Sequence, residues 1–203
     1  MIAIVDYGVG NLFSLASSFA AIGAEARVTS SEADLKAADK IILPGVGAFG
    51  DAAEKLRASG LDSVIKEEAT KGKPLMGICL GMQLLLEKSF EYGEHAGLGL
   101  IAGEIRPISD VIPADLKIPH IGWNALKFTK KASPLFKYIN EGDHVYFVHS
   151  FYGANCDDSV IATSEYGAPL TAAVACGNVM GCQFHPEKSG NVGLNILRAF
   201  CEM

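Results

Sequence analysis

Residues 73–86 carry the most informative local pattern of this chain, which reads Lys73-Pro74-Leu75-Met76-Gly77-Ile78-Cys79-Leu80-Gly81-Met82-Gln83-Leu84-Leu85-Leu86. The first apolar run predicts a buried strand, and the second predicts an apolar helix. Between them, Gly-x-Cys-x-Gly is typical of a nucleophile elbow, a tight strand-to-helix turn with the nucleophile at its tip. The following helix start favours the thiolate of Cys79. The alternative interpretation is a small buried cysteine in a glycine-rich turn.

On the N-terminal side of this stretch, strands and helices alternate. Apolar runs at 2–5, 25–29 and 40–43 predict strands, and helical spacing of apolar residues predicts helices at 12–22, 51–59 and 61–70. Alternation of this kind predicts a parallel sheet with helices on both faces.

On the C-terminal side the pattern changes. Runs at 143–149, 160–164, 170–176 and 179–183 are spaced as hairpin strands, and residues 190–201 predict a last helix. We therefore expect an α/β fold with an open, largely parallel central sheet and added antiparallel strands. The chain shows no repeat or linker, so residues 1–203 are expected to form a single domain.

Composition narrows the class of protein. The net charge of −6 and a pI near 5.3 argue against nonspecific nucleic-acid binding and against a protein that binds membrane surfaces through basic residues. The five cysteines are odd in number and show no Cys-x-x-Cys spacing, which disfavours a disulfide framework or a metal site and favours the cytoplasm. Gly8-Val9-Gly10-Asn11 lacks a third glycine at dinucleotide spacing and any Gly-Lys-Ser/Thr, so we predict a simple turn and not a phosphate loop. We expect no cofactor.

A nucleophilic cysteine requires a base and a group that orients the base. His185 is followed by Pro186, which favours an extended backbone, and residues two apart in an extended chain share a face. His185 and Glu187 can therefore lie side by side at the end of a strand. The pattern predicts Cys79 as nucleophile, His185 as base and Glu187 as orienting group. The alternative is a surface histidine beside a surface glutamate.

Acyl transfer also requires donors for an oxyanion. The backbone N–H of Leu80 is one candidate. The loop Pro44-Gly45-Val46-Gly47, at the end of a neighbouring strand, is the other, because its glycines allow peptide groups to approach a substrate closely. A plain strand-to-helix turn is the alternative interpretation of this loop.

The combined motifs resemble a known family, the class I (triad) glutamine amidotransferases, and more narrowly the glutaminase subunits of imidazole glycerol phosphate synthases. The resemblance runs from residue 2 to the C-terminus. Its motifs are Asp6-Tyr7-Gly8-x-Gly10-Asn11, Pro44-Gly45-Val46-Gly47-Ala48-Phe49, Gly77-Ile78-Cys79-Leu80-Gly81-Met82-Gln83, Pro119-His120-x-Gly122-Trp123-Asn124, Tyr146-Phe147-Val148-His149-Ser150 and His185-Pro186-Glu187-Lys188-Ser189.

The resemblance implies a flavodoxin-like α/β fold and glutamine hydrolysis to glutamate and ammonia through a γ-glutamyl thioester on Cys79. The ammonia is implied to pass to a (β/α)₈-barrel cyclase subunit, which makes imidazole glycerol phosphate and aminoimidazole carboxamide ribotide in histidine biosynthesis. The resemblance also implies residue roles: the triad of Cys79, His185 and Glu187; Gly45, Val46 and Leu80 around the oxyanion; Gly47, Gln83, Glu91, Ser150 and Phe151 around glutamine; and Asn11, Trp123, Tyr146 and Lys188 facing the partner.

Two alternatives from other classes remain open at this point. One is a stand-alone Cys-His-Glu hydrolase on a similar sheet, although the His-Pro-Glu spacing disfavours it. The other is a noncatalytic binding domain of flavodoxin-like architecture, which an intact triad disfavours.

Overall fold

The computed structural model describes residues 1–129 and 133–203 of the chain. In these ranges the helices are α1 (Leu12–Ala21), α2 (Glu32–Ala37), α3 (Phe49–Ala58), α4 (Leu61–Thr70), α5 (Leu80–Leu85) and α6 (Gly190–Cys201). The strands are β1 (Ile2–Val5), β2 (Ala26–Thr29), β3 (Lys40–Leu43), β4 (Leu75–Ile78), β5 (Leu86–Ser89), β6 (His95–Ala96), β7 (Ile101–Pro107), β8 (His120–Ala125), β9 (Lys127–Phe128), β10 (His144–His149), β11 (Phe151–Ala154), β12 (Val160–Glu165), β13 (Pro169–Cys176) and β14 (Val179–Cys182).

The central sheet has eight strands in the order β2-β1-β3-β4-β14-β13-β12-β9. The five strands from β2 to β14 are parallel to one another, and β13, β12 and β9 continue the sheet in antiparallel fashion. The prediction of an open, largely parallel sheet with added antiparallel strands is confirmed.

Helices cover both faces of this sheet because the strand residues alternate between two apolar clusters. Ala3 and Val5 of β1 face a cluster that includes residues of α2, α3 and α4. Ile2 and Ile4 face the other cluster, which includes residues of α1 and α6. Successive side chains of a strand point to opposite faces, so a strand that is apolar throughout needs a helical layer on each side.

Not all added strands join the central sheet. β8 and β10 form a separate antiparallel pair, and β11, β7, β5 and β6 form a four-stranded sheet in which β5 and β7 are parallel. The sequence pattern identified strands in the second half but not their division among three sheets, because the division depends on pairing between distant segments.

The helix after the elbow is short and passes directly into a strand. It ends at Leu85, and β5 begins at the next residue. The backbone N–H groups of Leu98 and Leu100 donate to the carbonyls of Leu84 and Leu85, at 2.8 and 2.9 Å. These carbonyls are therefore satisfied by another segment, and the chain leaves the helix to form a strand.

The carboxyl ends of β1, β3, β4 and β14 lie at one edge of the sheet, since these strands are parallel and adjacent. Residues 6–11, 44–48, Cys79 and 183–185 directly follow these four strands. Ligand sites of open α/β sheets gather at such an edge. Among the described helices, none has both the length and the apolar character to cross a membrane.

Candidate active site

The elbow is built by close contact between β4, α5 and the neighbouring β3. A Cβ on Gly77 would lie 2.6 Å from the carbonyl oxygen of Gly81, and a Cβ on Gly81 would overlap the carbonyl oxygen of Leu43. Only glycine fits at either position. Cys79 has φ 55° and ψ −114°, a strained conformation for a residue with a side chain. Its N–H donates to the carbonyl of Cys182 at 2.8 Å, which fixes the turn to β14.

A cavity of about 330 Å³ opens over Cys79. This volume lies at the small end of the range of roughly 300–1,000 Å³ for ligand pockets. The predicted glutamine-holding residues all line it, as do two of the three predicted oxyanion residues: Val46, Gly47, Leu80, Gln83, Glu91, Ser150 and Phe151. The third, Gly45, lies against the elbow, where a Cβ added to it would be 2.7 Å from the Gly81 nitrogen.

His185 also lines the cavity, and its Nδ1 lies 2.8 Å from Oε1 of Glu187. Both side chains are almost completely buried. His185 is extended as predicted, but Glu187 reaches it through the 3₁₀ turn Pro186–Lys188 and not along an extended strand. The predicted proximity is therefore present, whereas the predicted backbone geometry was wrong, because Lys188 N–H donates to the His185 carbonyl and closes a turn.

The electrostatics of His185 combine opposing influences. Burial lowers the pKa of His185, but hydrogen bonds and charge interactions with Cys79 and Glu187 outweigh it and raise that pKa to about 9. A histidine with this pKa is protonated at neutral pH and can deliver its proton to a leaving group in the cavity.

A second histidine of the cavity, His149, is engaged differently. Its Nδ1 lies 2.8 Å from the Phe151 carbonyl and its Nε2 lies 2.9 Å from Nδ1 of His120. Burial lowers the pKa of His149 to about 4. Because both of its ring nitrogens are occupied, the geometry favours His185 over His149 as the base.

Gln83 and Glu91, two of the residues predicted to hold glutamine, offer hydrogen-bond acceptors to the cavity. Both N–H groups of the Gln83 amide are committed, to the Phe151 carbonyl and to Oε1 of Gln183. Oε2 of Glu91 accepts the N–H of Phe49 at the start of α3, at 2.7 Å. The groups left to a ligand are Oε1 of Gln83 and Oε1 of Glu91, and two such oxygens suit an ammonium group.

The oxyanion loop is anchored at one end and open at the other. The phenol of Tyr7 donates to the Pro44 carbonyl at 2.8 Å, and burial raises the pKa of Tyr7. Gly47 has φ +94° with open space around its α-carbon, and Val46 is exposed. Beyond Gly45 the loop is therefore less tightly packed than the elbow.

The residues expected to face a partner fall into two groups. Trp123 and Tyr146 are in edge contact on β8 and β10, with ring centroids 6.0 Å apart, and the Lys188 ammonium lies 5.9 Å from the Tyr146 ring. Trp123 is 54% exposed, an unusual fraction for the largest apolar side chain. Asn11 lies separately, at the N-cap of α1.

Gln183 and Tyr7 were not identified as site residues from the sequence. Gln183 is completely buried, and its Nε2 lies 3.8 Å from the sulfur of Cys79. Its place two residues before His185 was the available signal, but its proximity to Cys79 depends on the pairing of β14 with β4. No group of three or more metal-ligating side chains occurs in residues 1–129 and 133–203.

Comparison with known proteins identifies the class. The family model described as glutamine amidotransferase class-I matches residues 3–203. This chain belongs to the class-I glutamine amidotransferase family, and the family recognised from its motifs is confirmed.

Relatives of higher similarity carry a more particular name. The imidazole glycerol phosphate synthase subunit HisH of Wolinella succinogenes is 50% identical over 205 residues and is covered completely, as is this chain. The subunit of the same name from Oceanobacillus iheyensis is also 50% identical, with coverage of 100% of this chain and 99% of the relative.

Solved structures agree on the fold. A crystal structure of a glutamine amidotransferase has a TM-score of 0.77 at 20% identity and covers 100% of this chain and 98% of that one. The PurLQS structure from Thermotoga maritima contains a chain with a TM-score of 0.76 at 22% identity, covering 99% of this chain and 97% of that one.

Proposed function

We propose that this chain is the glutaminase subunit of an imidazole glycerol phosphate synthase and acts in histidine biosynthesis. The observation that carries the proposal is the cavity in which Cys79 and the buried His185–Glu187 pair meet the predicted glutamine-holding residues. The names of the relatives at 50% identity support the choice of this synthase over other amidotransferases.

In the proposed mechanism the Cys79 thiolate attacks the side-chain amide carbon of glutamine. The tetrahedral oxyanion is stabilised by the Leu80 N–H and by a peptide N–H of the loop 45–47. His185 then gives its proton to the leaving nitrogen as the C–N bond breaks, which releases ammonia and leaves a γ-glutamyl thioester.

Hydrolysis of the thioester completes the cycle. His185, now neutral, accepts a proton from water, and the resulting hydroxide attacks the thioester carbon. The C–S bond breaks to give the γ-carboxylic acid, which loses its proton to water and leaves as glutamate, and the Cys79 thiolate is restored beside a protonated His185. Glu187 stabilises the imidazolium in both half-reactions through the bond of 2.8 Å.

The ammonia released in the first half-reaction is proposed to reach a (β/α)₈-barrel cyclase subunit that docks over the pair of exposed Trp123 and half-buried Tyr146. Trp123 supplies a large exposed apolar surface, and Lys188 supplies a charge beside Tyr146. Tryptophan and tyrosine are among the side chains that contribute most binding energy at protein interfaces. We place the complex in the cytoplasm, consistent with five free cysteines.

The test is glutamate release by the chain purified with its barrel partner, in the presence and absence of the partner's ribotide ligand. We expect Cys79→Ala to abolish glutamine-dependent turnover and to leave turnover with added ammonium salt near the wild-type rate, because the cyclase reaction occurs on the other subunit. The matched control is Cys176→Ala, at an exposed cysteine of β13. Glutamine-dependent turnover that survives in Cys79→Ala would contradict the assignment, and full glutaminase activity without the partner would indicate a stand-alone hydrolase.

A further inference from the structure

Gln183 is placed beside the nucleophile by the register of two parallel strands. Cys182, the last residue of β14, is aligned with Ile78, the last residue of β4. The next residue on each strand is therefore Gln183 on one side and Cys79 on the other. The Gln183 backbone N–H donates to the Ala172 carbonyl at 2.8 Å, and its side chain is completely buried.

The orientation of the Gln183 amide follows from its neighbours. Gln83 donates from Nε2 to Oε1 of Gln183 at 2.9 Å, and the same nitrogen also donates to the Phe151 carbonyl at 3.3 Å. The Phe151 carbonyl can only accept, so it fixes which end of the Gln83 amide is the donor. Gln183 must then present its oxygen to Gln83 and its NH₂ to the sulfur of Cys79, at 3.8 Å.

We propose that Gln183 donates a hydrogen bond to the Cys79 sulfur and thereby stabilises the thiolate, with Gln83 holding the amide in the donating orientation. The role deepens the proposed function, on which its catalytic consequence rests. A buried donor that points at an anionic sulfur stabilises it more than it stabilises the neutral thiol. The same donor serves twice in a cycle, first for the attacking thiolate and later for the thiolate that leaves the thioester.

This arrangement also joins the glutamine pocket to the nucleophile. Gln83 is one of the residues expected to hold glutamine, and its amide nitrogen donates to both Phe151 and Gln183. A ligand that displaces Gln83 would release Gln183 to rotate, and the sulfur would then lose its donor. A substrate that binds without displacing Gln83 leaves the hydrogen bond from Gln183 to the sulfur in place.

The experiment is the pH dependence of Cys79 alkylation by iodoacetamide in the full chain, followed by mass spectrometry. The exposed Cys176 of the same molecule provides an internal reference rate. The groups that share the titration of Cys79 are His185 with its partner Glu187, the phenol of Tyr7 and the buried thiol of Cys182.

We expect Gln183→Met, which keeps the volume but removes the donor, to raise the apparent pKa of Cys79 alkylation by about 1. Alkylation of Cys79 below that pKa should then slow roughly tenfold, with Cys176 unchanged. Gln183→Glu keeps an acceptor for Gln83 but places a carboxylate beside the sulfur, so it should raise the apparent pKa further than Gln183→Met does.

An alkylation profile of Cys79 that is unchanged in folded Gln183→Met overturns the proposal. If Gln183→Met does not fold, Gln183→Glu decides by the same measurement, since it retains the hydrogen bond with Gln83. The alkylation assay requires no glutamine turnover. It therefore tests the role of Gln183 even if the wild-type chain has no glutaminase activity, a result that would contradict the proposed function instead.

Discussion

Replacing Glu187 with glutamine removes one charge from the centre of the site and leaves its shape. Oε1 of Glu187 accepts from Nδ1 of His185 at 2.8 Å, and Oε2 is buried with no hydrogen-bond partner among the described residues. A glutamine amide has two orientations here. Its NH₂ either occupies the place of Oε2, as a buried donor without an acceptor, or faces Nδ1 and forces the imidazole into the wrong tautomer.

The magnitude depends on which orientation the amide adopts. With its NH₂ in the place of Oε2, the imidazolium keeps a hydrogen bond but loses its charged partner, and a hydrogen bond to a charged group contributes about 1.5–3 kcal/mol. With its NH₂ toward Nδ1, the imidazole is held in the wrong tautomer, which lowers kcat by about 10⁴ in a serine-protease triad. The two cases bracket a decrease of about 10–10⁴ in glutaminase rate. The loss should fall on kcat with a smaller change in KM, because Glu187 acts on His185 and does not line the cavity.

The assay is glutamate release by the complex with the barrel partner, at saturating and limiting glutamine. Ammonium-dependent turnover of the same sample reports whether the complex is intact. The matched control is Glu202→Gln, which removes an exposed carboxylate that binds Lys137 and Tyr138 far from the cavity. A Glu187→Gln rate within threefold of wild type would refute the argument and indicate that His185 is oriented by another group.

Glu187→Gln should also change how the free energy of unfolding depends on pH. The pKa of His185 is raised to about 9 in the folded chain from 6.5. A raised pKa stabilises the folded state fully below pH 6.5, and this stabilisation is lost as the pH rises through 9. Glu187→Gln removes part of what raises this pKa. The difference in free energy of unfolding between the wild type and Glu187→Gln should therefore decrease as the pH rises from 6.5 to 9. Urea unfolding of both proteins at several pH values measures this difference, and a difference that grows with pH would contradict the prediction.

Two further predictions concern the oxyanion loop and the partner surface. Gly45→Ala places a methyl group 2.7 Å from the Gly81 nitrogen and should abolish glutaminase activity. The methyl group of Gly47→Ala has open space, so this variant carries only the backbone strain of a positive φ, about 1–2 kcal/mol. In steady-state kinetics, Gly47→Ala should lower the stimulation by the partner's ligand more than it raises KM for glutamine, and an unchanged stimulation factor would place the gate elsewhere. Trp123→Ala should weaken the complex at least tenfold in titration calorimetry without lowering the melting temperature, and an affinity no lower than that of the exposed control Val111→Ala would exclude Trp123 from the interface.

Local pattern accounted for part of the helices and strands. The bounds expected for the helices at 61–70 and 190–201 and for the strands at 2–5 and 40–43 agree with the structure. Each of these segments carries its own signal, either a helical period or an apolar run, and has glycine or proline near an end. The elbow was recognisable for the same reason, since Gly77, Cys79 and Gly81 lie within five consecutive positions.

Local pattern did not account for how the later strands are divided among three sheets. It also gave no sign that β5 begins directly after α5, where main-chain donors from residues 98 and 100 take the last carbonyls of the helix. A hydrogen bond between segments that are distant in the chain leaves no periodic trace in either one. The turn that brings Glu187 to His185 was also missed. The sequence His185-Pro186-Glu187 is compatible with an extended chain as well as with a 3₁₀ turn, and its pattern does not distinguish them.

The candidate site divides in the same way. A candidate nucleophile, base and acid could be predicted from the chain because each belongs to a short motif whose residue types suit one chemistry. The surroundings of Cys79 could not, because Gln183 and Tyr7 reach the site through strand register and loop packing. Register between β4 and β14 joins residues about a hundred positions apart, and its free energy comes from burying both faces of a parallel sheet. The contacts that orient the nucleophile therefore exist only once the whole sheet has formed.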